Sequence, residues 1–88
     1  MLEKDIEAAF VGRVKSLGGT AEKFTSPNRR SVPDRLVTLP GGVVVFVELK
    51  APGKEPTEAQ ARDHNRRRAI GCRVIVIDNM RDAQNFEG

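Results

Sequence analysis

Arg35-Leu36-Val37-Thr38-Leu39-Pro40-Gly41-Gly42-Val43-Val44-Val45-Phe46-Val47-Glu48-Leu49-Lys50 is the stretch that decides the fold. Two runs rich in β-branched residues flank a Pro-Gly-Gly turn, so residues 35–49 read as an antiparallel hairpin. The second arm is almost continuously apolar, as a central strand covered on both faces should be. Counting outward from the turn, Leu39 pairs near Val43 and Asp34 near Glu48. Side chains repeat every two residues along a strand, so Glu48 and Lys50 point the same way. Two carboxylates and an ammonium group therefore converge at one edge of a sheet.

Upstream, Leu2, Ile6, Ala9, Phe10, Val14 and Leu17 recur at spacings of three and four, which predicts an amphipathic helix over 2–17 stopped by Gly18-Gly19. A short strand is expected over 21–25, followed by a turn at Ser26-Pro27-Asn28. Downstream, Ala51 to Pro56 forms a loop, and Thr57 with Gln60 spells a capping box for a helix ending near Ile70 and Gly71. Within that helix only Ala59, Ala61, Ala69 and Ile70 are apolar, so it should bury a narrow stripe and expose a wide polar face. Residues 72–77 read as a strand opened by an inert core Cys72. Asp78-Asn79 is a turn, and a short helix over 81–86 lets Phe86 pack. The expected class is α/β, in the order α-β-β-β-α-β-α, with a right-handed parallel crossover around the second helix.

At 88 residues the chain is expected to be one domain, 1–88, with a thin core. A composition of 39% hydrophobic and 31% charged residues argues for a globular protein rather than a disordered one. The sequence has neither a membrane-length apolar run nor a signal peptide, so no membrane partner and an intracellular, cytoplasmic location are expected. A single cysteine and a single histidine exclude thiolate zinc clusters and His-rich sites, leaving carboxylates and carbonyls as donors for Mg²⁺ or Mn²⁺. The net charge of +3 is concentrated in two stretches, Lys23 to Arg35 and Arg62 to Arg73, which suit a polyanionic partner. The absence of Trp and Tyr argues against a stacking platform for single strands.

Charged residues at adjoining strand ends can simply be solvated. Here, however, Asp34 and Glu48 with a backbone carbonyl, that of Val47, would make an oxygen-rich pocket for Mg²⁺ or Mn²⁺. Such a cation neutralises phosphate charge and acidifies a water, and Lys50 would stabilise the charge that develops on the phosphoryl group. Acid, acid and lysine together suit phosphodiester hydrolysis.

Pro33-Asp34, thirteen intervening residues and then Glu48-Leu49-Lys50 resemble the PD-(D/E)xK nuclease signature. The fuller pattern resembles the virus-type replication–repair nuclease, or VRR-NUC, domain. It comprises Glu3 in an opening helix, Ser31-Val32-Pro33-Asp34-Arg35, Val47 to Gly53, Gln60, and the strand Val74 to Asp78. The likeness spans nearly the whole chain; Ser31 departs from the usual glycine there. It implies a minimal restriction-endonuclease-like fold with a mixed central sheet flanked by helices. It further implies a metal-dependent nuclease in which Asp34, Glu48 and the Val47 carbonyl hold the metal. Glu3 would serve as the helix acid, with Glu7 as the substitute one turn on. Lys50 would be the catalytic lysine, and Gln60 the helix glutamine facing the site.

Arg29, Arg30, Arg35, Lys54, His64 and Arg67 are the expected nucleic-acid contacts. Stand-alone members of the family are typically phage-encoded and similar to Holliday-junction resolvases, which implies a role in DNA recombination and repair, in the host cytoplasm. The expectation is thus a homodimeric Mg²⁺- or Mn²⁺-dependent endodeoxyribonuclease acting on four-way junctions or other branched duplexes. The alternatives are a nicking or flap nuclease, an RNA-directed nuclease, or a basic DNA-binding accessory without turnover.

Overall fold

A computed structural model describes residues 1–88. The chain folds in the order α1 (Glu3–Ser16), β1 (Thr20–Lys23), β2 (Arg35–Leu39), β3 (Val43–Leu49), α2 (Glu58–Ala69), β4 (Val74–Ile77) and α3 (Met80–Gln84). The strands form one sheet in the order β1-β2-β3-β4, antiparallel except for the parallel β3–β4 pair. This is the expected mixed α/β architecture.

Hairpin register follows the turn. Gly41 and Gly42 take φ of +88° and +77°, a left-handed backbone that side chains with a Cβ rarely adopt. With the turn set, Leu39 pairs with Val43 and Arg35 with Val47. One step beyond, Asp34 stands opposite Glu48. At the end of α1, Gly19 passes so near β2 that a Cβ there would lie 2.5 Å from the Thr38 carbonyl oxygen. The close passage lets β1 turn directly onto the sheet.

The core lies on one face. Ile6, Phe10 and Val14 of α1 pack on Val37, Leu39, Val45, Val47, Leu49 and Ile77, with Ala83 and Phe86 closing the side. The Phe10 and Phe86 rings meet edge to face at 5.0 Å. Leu2, counted in the apolar stripe, is instead 57% exposed at the helix start.

The other face departs from expectation. β3 is central, but Val43 and Val44 at the hairpin tip are exposed, because α2 covers only the far end of the strand. On α2 the buried residues are Asp63 and His64, and Ile70, just past its end, is 80% exposed. Asp63 accepts from Arg66 and, at 2.7 Å, from Arg67 Nε. The Arg67 guanidinium lies 4.8 Å from the Phe46 ring centre and 5.2 Å from that of Phe24. Charge pairing and stacking on aromatic faces let this charged helix cover the sheet without aliphatic side chains. No helix is long and apolar enough to cross a membrane.

Candidate active site

Strand alternation puts Asp34, Phe46, Glu48 and Lys50 on the α2 side of the sheet, at the end where β2 enters and β3 leaves. Asp34 lies just outside the β2–β3 ladder, and its Oδ2 accepts from the Leu49 N–H at 2.8 Å. Thus the carboxylate replaces a backbone partner and is fixed beside Glu48. Glu48 is 1% exposed. Its Oε2 receives Gln60 Nε2 at 3.3 Å and lies 3.7 Å from Lys50 Nζ. Its Oε1 is buried without a hydrogen-bond partner.

Gln60 does two jobs from one side chain. Its Oε1 accepts from the Thr57 N–H at 2.9 Å while Thr57 Oγ1 accepts from the Gln60 N–H at 3.1 Å, which is the capping box read in the sequence. With its oxygen held by the cap, the amide nitrogen is turned toward Glu48. The start of α2 and the carboxylate are therefore tied together.

The electrostatics are strained in the direction of a missing positive charge. Burial, the neighbouring Asp34 carboxylate and, to a lesser extent, Glu3 push Glu48 from its ordinary value up to about 8, with Lys50 only partly offsetting them. Glu3 is exposed at the start of α1 and lines a cleft shared with Asp34, Glu7, Lys23, Phe24 and Thr25. Glu7 in that cleft is paired: its Oε2 lies 3.1 Å from the Arg35 guanidinium, which also donates to the Ala21 carbonyl at 2.8 Å.

The other expected contacts divide. Arg29 and Arg30 are exposed in the loop before β2 and line a second cleft with Asp34, and Lys54 is exposed in the turn after β3. None of the three forms an ion pair. Arg35 is held by Glu7 and Arg67 by Asp63, so both guanidinium groups are engaged within the fold. His64 is 1% exposed and stands behind Glu48 rather than on a surface. Burial, with Arg68 nearby, pushes its pKa below the ordinary value.

No group of three or more His, Cys, Asp or Glu side chains is arranged to hold a metal ion. The donor set at hand is smaller: Asp34 and Glu48, with backbone carbonyls beside them. Such a set fits Mg²⁺ or Mn²⁺, which are commonly held by one or two carboxylates with water and substrate phosphate completing the shell. The unpartnered Glu48 oxygen and the crowding of two carboxylates are what a cation would relieve.

No family model matches the chain. It is 54% identical over 77 residues, 88% of its length and 83% of the relative's, to "Putative nuclease p44" of Acyrthosiphon pisum secondary endosymbiont phage 1. A solved structure described as a "VRR_NUC domain" superposes with a TM-score of 0.89 at 31% identity, covering 97% of each chain. The chain belongs to the VRR-NUC family. As a VRR-NUC nuclease it keeps the PD-(D/E)xK architecture, with the hairpin, the parallel crossover and the acid, acid and lysine at one sheet end. Composition alone hid the Asp63–Arg67–Phe46 stack and the burial of His64. A signal for both was available: a helix with so few apolar residues has to cover its sheet with something else.

Proposed function

We propose that this VRR-NUC nuclease is a Mg²⁺- or Mn²⁺-dependent endodeoxyribonuclease that cleaves branched duplex DNA, four-way junctions foremost, as a homodimer. The observation that carries the metal reading is the buried Glu48 carboxylate set beside Asp34, which is itself fixed on the Leu49 N–H. In this reading Asp34 and Glu48 hold the cation, and Glu3 supports it from across the cleft. The cation would supply Lewis-acid polarisation of the scissile phosphate and acidify a water.

The carbonyl donor is assigned to Leu49 rather than Val47. A residue's N–H and C=O point to the same neighbouring strand. Val47 sits opposite Arg35 inside the ladder, so its carbonyl faces a strand partner. Leu49 lies at the ladder's end with its N–H on Asp34, so its carbonyl faces the same open side. Lys50, 16% exposed and near Glu48, stabilises charge developing on the phosphoryl oxygens. Arg29, Arg30 and Lys54 are free to neutralise flanking phosphates. Exposed Val43, Val44 and Ile70 supply apolar surface that a second subunit would bury, and two subunits present paired sites suited to symmetric cuts. Such a protein would work on DNA in the cytoplasm of the host cell.

The test is cleavage of matched four-way, flap and linear duplexes with Mn²⁺, with Mg²⁺ and with chelator, alongside Asp34→Asn and Lys50→Ala. Symmetric cuts near the crossover, abolished by chelator and by both substitutions, are expected. Equal cutting of all substrates would remove the junction preference while leaving the nuclease. Junction binding without any turnover by a folded protein would favour the accessory reading.

A further inference from the structure

His64 has no place in the chemistry above, yet it is fully buried against it. Its Nε2 lies 3.4 Å from Glu48 Oε1, and these two atoms are the only buried side-chain polar atoms without a hydrogen-bond partner. A buried imidazole used only as filler is a poor choice, because an aliphatic side chain would fill the space without stranding a polar nitrogen. Gln60 and His64 are four residues apart and so share one face of α2. Each faces a different oxygen of the same carboxylate, Gln60 at Oε2 and His64 at Oε1.

We propose that His64 is a positioning residue, which donates from Nε2 to Glu48 Oε1 and with Gln60 fixes the orientation in which Glu48 meets a divalent cation. This rests on the reading of Asp34 and Glu48 as the metal-holding pair. With a cation bound Glu48 is ionised and only accepts, so the imidazole must then carry its proton on Nε2. A closure of a few tenths of an ångström brings the pair from 3.4 Å into ordinary hydrogen-bond range. Catalytic-site hydrogen bonds are often long in the free protein and tighten on loading. Groups that orient a metal ligand in this way typically change metal affinity by about 10- to 100-fold when removed.

His64 is the only histidine, so its imidazole nitrogens are identified in ¹⁵N NMR spectra of the unaltered protein without assignment. The expected result is the Nε2–H tautomer at saturating Mg²⁺, with both ring signals displaced as Mg²⁺ is added. An Nδ1–H tautomer at saturating Mg²⁺, or ring signals unmoved by it, would overturn the proposal. Mn²⁺ titration followed by electron paramagnetic resonance, with thermal melts to establish folding, gives a second readout. His64→Leu should bind Mn²⁺ about 10- to 100-fold more weakly, and His64→Gln, which restores a donor at similar reach, should recover most of the loss. Equal Mn²⁺ affinity in wild type and His64→Leu would overturn the positioning role alone. A wild-type protein that binds no Mn²⁺ would overturn the metal reading and this inference together.

Discussion

On the α1 side of the sheet, Ile6, Phe10 and Val14 meet Val37, Val45, Val47 and Leu49, and every buried side chain in that cluster is hydrocarbon. On the α2 side, the alternate residues of the same strand are Phe46 and Glu48, and they meet Arg67, Gln60 and His64. A single strand, β3, thus carries hydrocarbon packing on one face and the candidate site on the other. The alternation of side chains makes this division possible in a protein with room for only one hydrocarbon layer. The α1 face supplies non-directional burial, roughly 1.5–3 kcal/mol for each large side chain. The α2 face gives up that burial to crowd two carboxylates, with Asp34 held by the Leu49 N–H and Glu48 by Gln60 and Lys50.

Substitutions should respect the division. Asp34→Asn and Glu48→Gln, on the α2 face, should each lower cleavage by about 10³-fold or more, because each removes several kcal/mol of transition-state stabilisation. Both should leave the far-ultraviolet circular dichroism spectrum unchanged. Phe10→Ala, on the α1 face, should do the reverse. A cavity at that site should cost about 3–5 kcal/mol in denaturant unfolding, with cleavage per folded molecule preserved at low temperature. If Phe10→Ala abolished cleavage by a demonstrably folded protein, the two faces would not be separable.

Acidity sharpens the contrast. Glu48 titrates near 8 in the fold and near 4.5 when unfolded, so the metal-free folded state holds a proton that the unfolded state lacks between those values. That contribution to stability is complete below about pH 4.5 and is lost as pH rises through about 8. The Tm of metal-free protein should therefore fall over that range more steeply than the Tm of Glu48→Gln, in which this slope is removed. Parallel profiles for the two proteins would contradict the crowded-carboxylate picture. The smallest effect is expected at the link between cap and site: Thr57→Ala should cost about 1 kcal/mol in thermal unfolding. It should also raise the Mn²⁺ concentration needed for half-maximal cleavage, because Gln60 loses one of its anchors.

The legible parts of the sequence were those governed by local rules. The Pro40-Gly41-Gly42 turn dictated the register that brought Asp34 opposite Glu48, and period-two alternation placed Lys50 beside it. Thr57 and Gln60 announced the start of α2 at the right residue. The hidden parts depended on partners distant in sequence. Asp63 and Arg67 look solvated until Phe24 and Phe46 arrive from other elements to cover the guanidinium. Arg35 looks like a phosphate contact until α1 brings Glu7 to it. His64 reads as a surface residue because the residues around it in the chain are charged, and only the packing of α2 against β3 turns it inward. The apolar run of β3 was read as covered throughout, but a helix of α2's placement leaves Val43 and Val44 open.

The α2 face of β3, in the function proposed above, is a divalent-cation site organised by Asp34 and Glu48. Anomalous diffraction from crystals soaked in Mn²⁺ tests it most directly. A Mn²⁺ peak is expected within about 2.0–2.3 Å of carboxylate oxygens from both residues, at the end of the β2–β3 ladder. A peak elsewhere on the molecule, or none at that position in crystals that take up Mn²⁺, would contradict it.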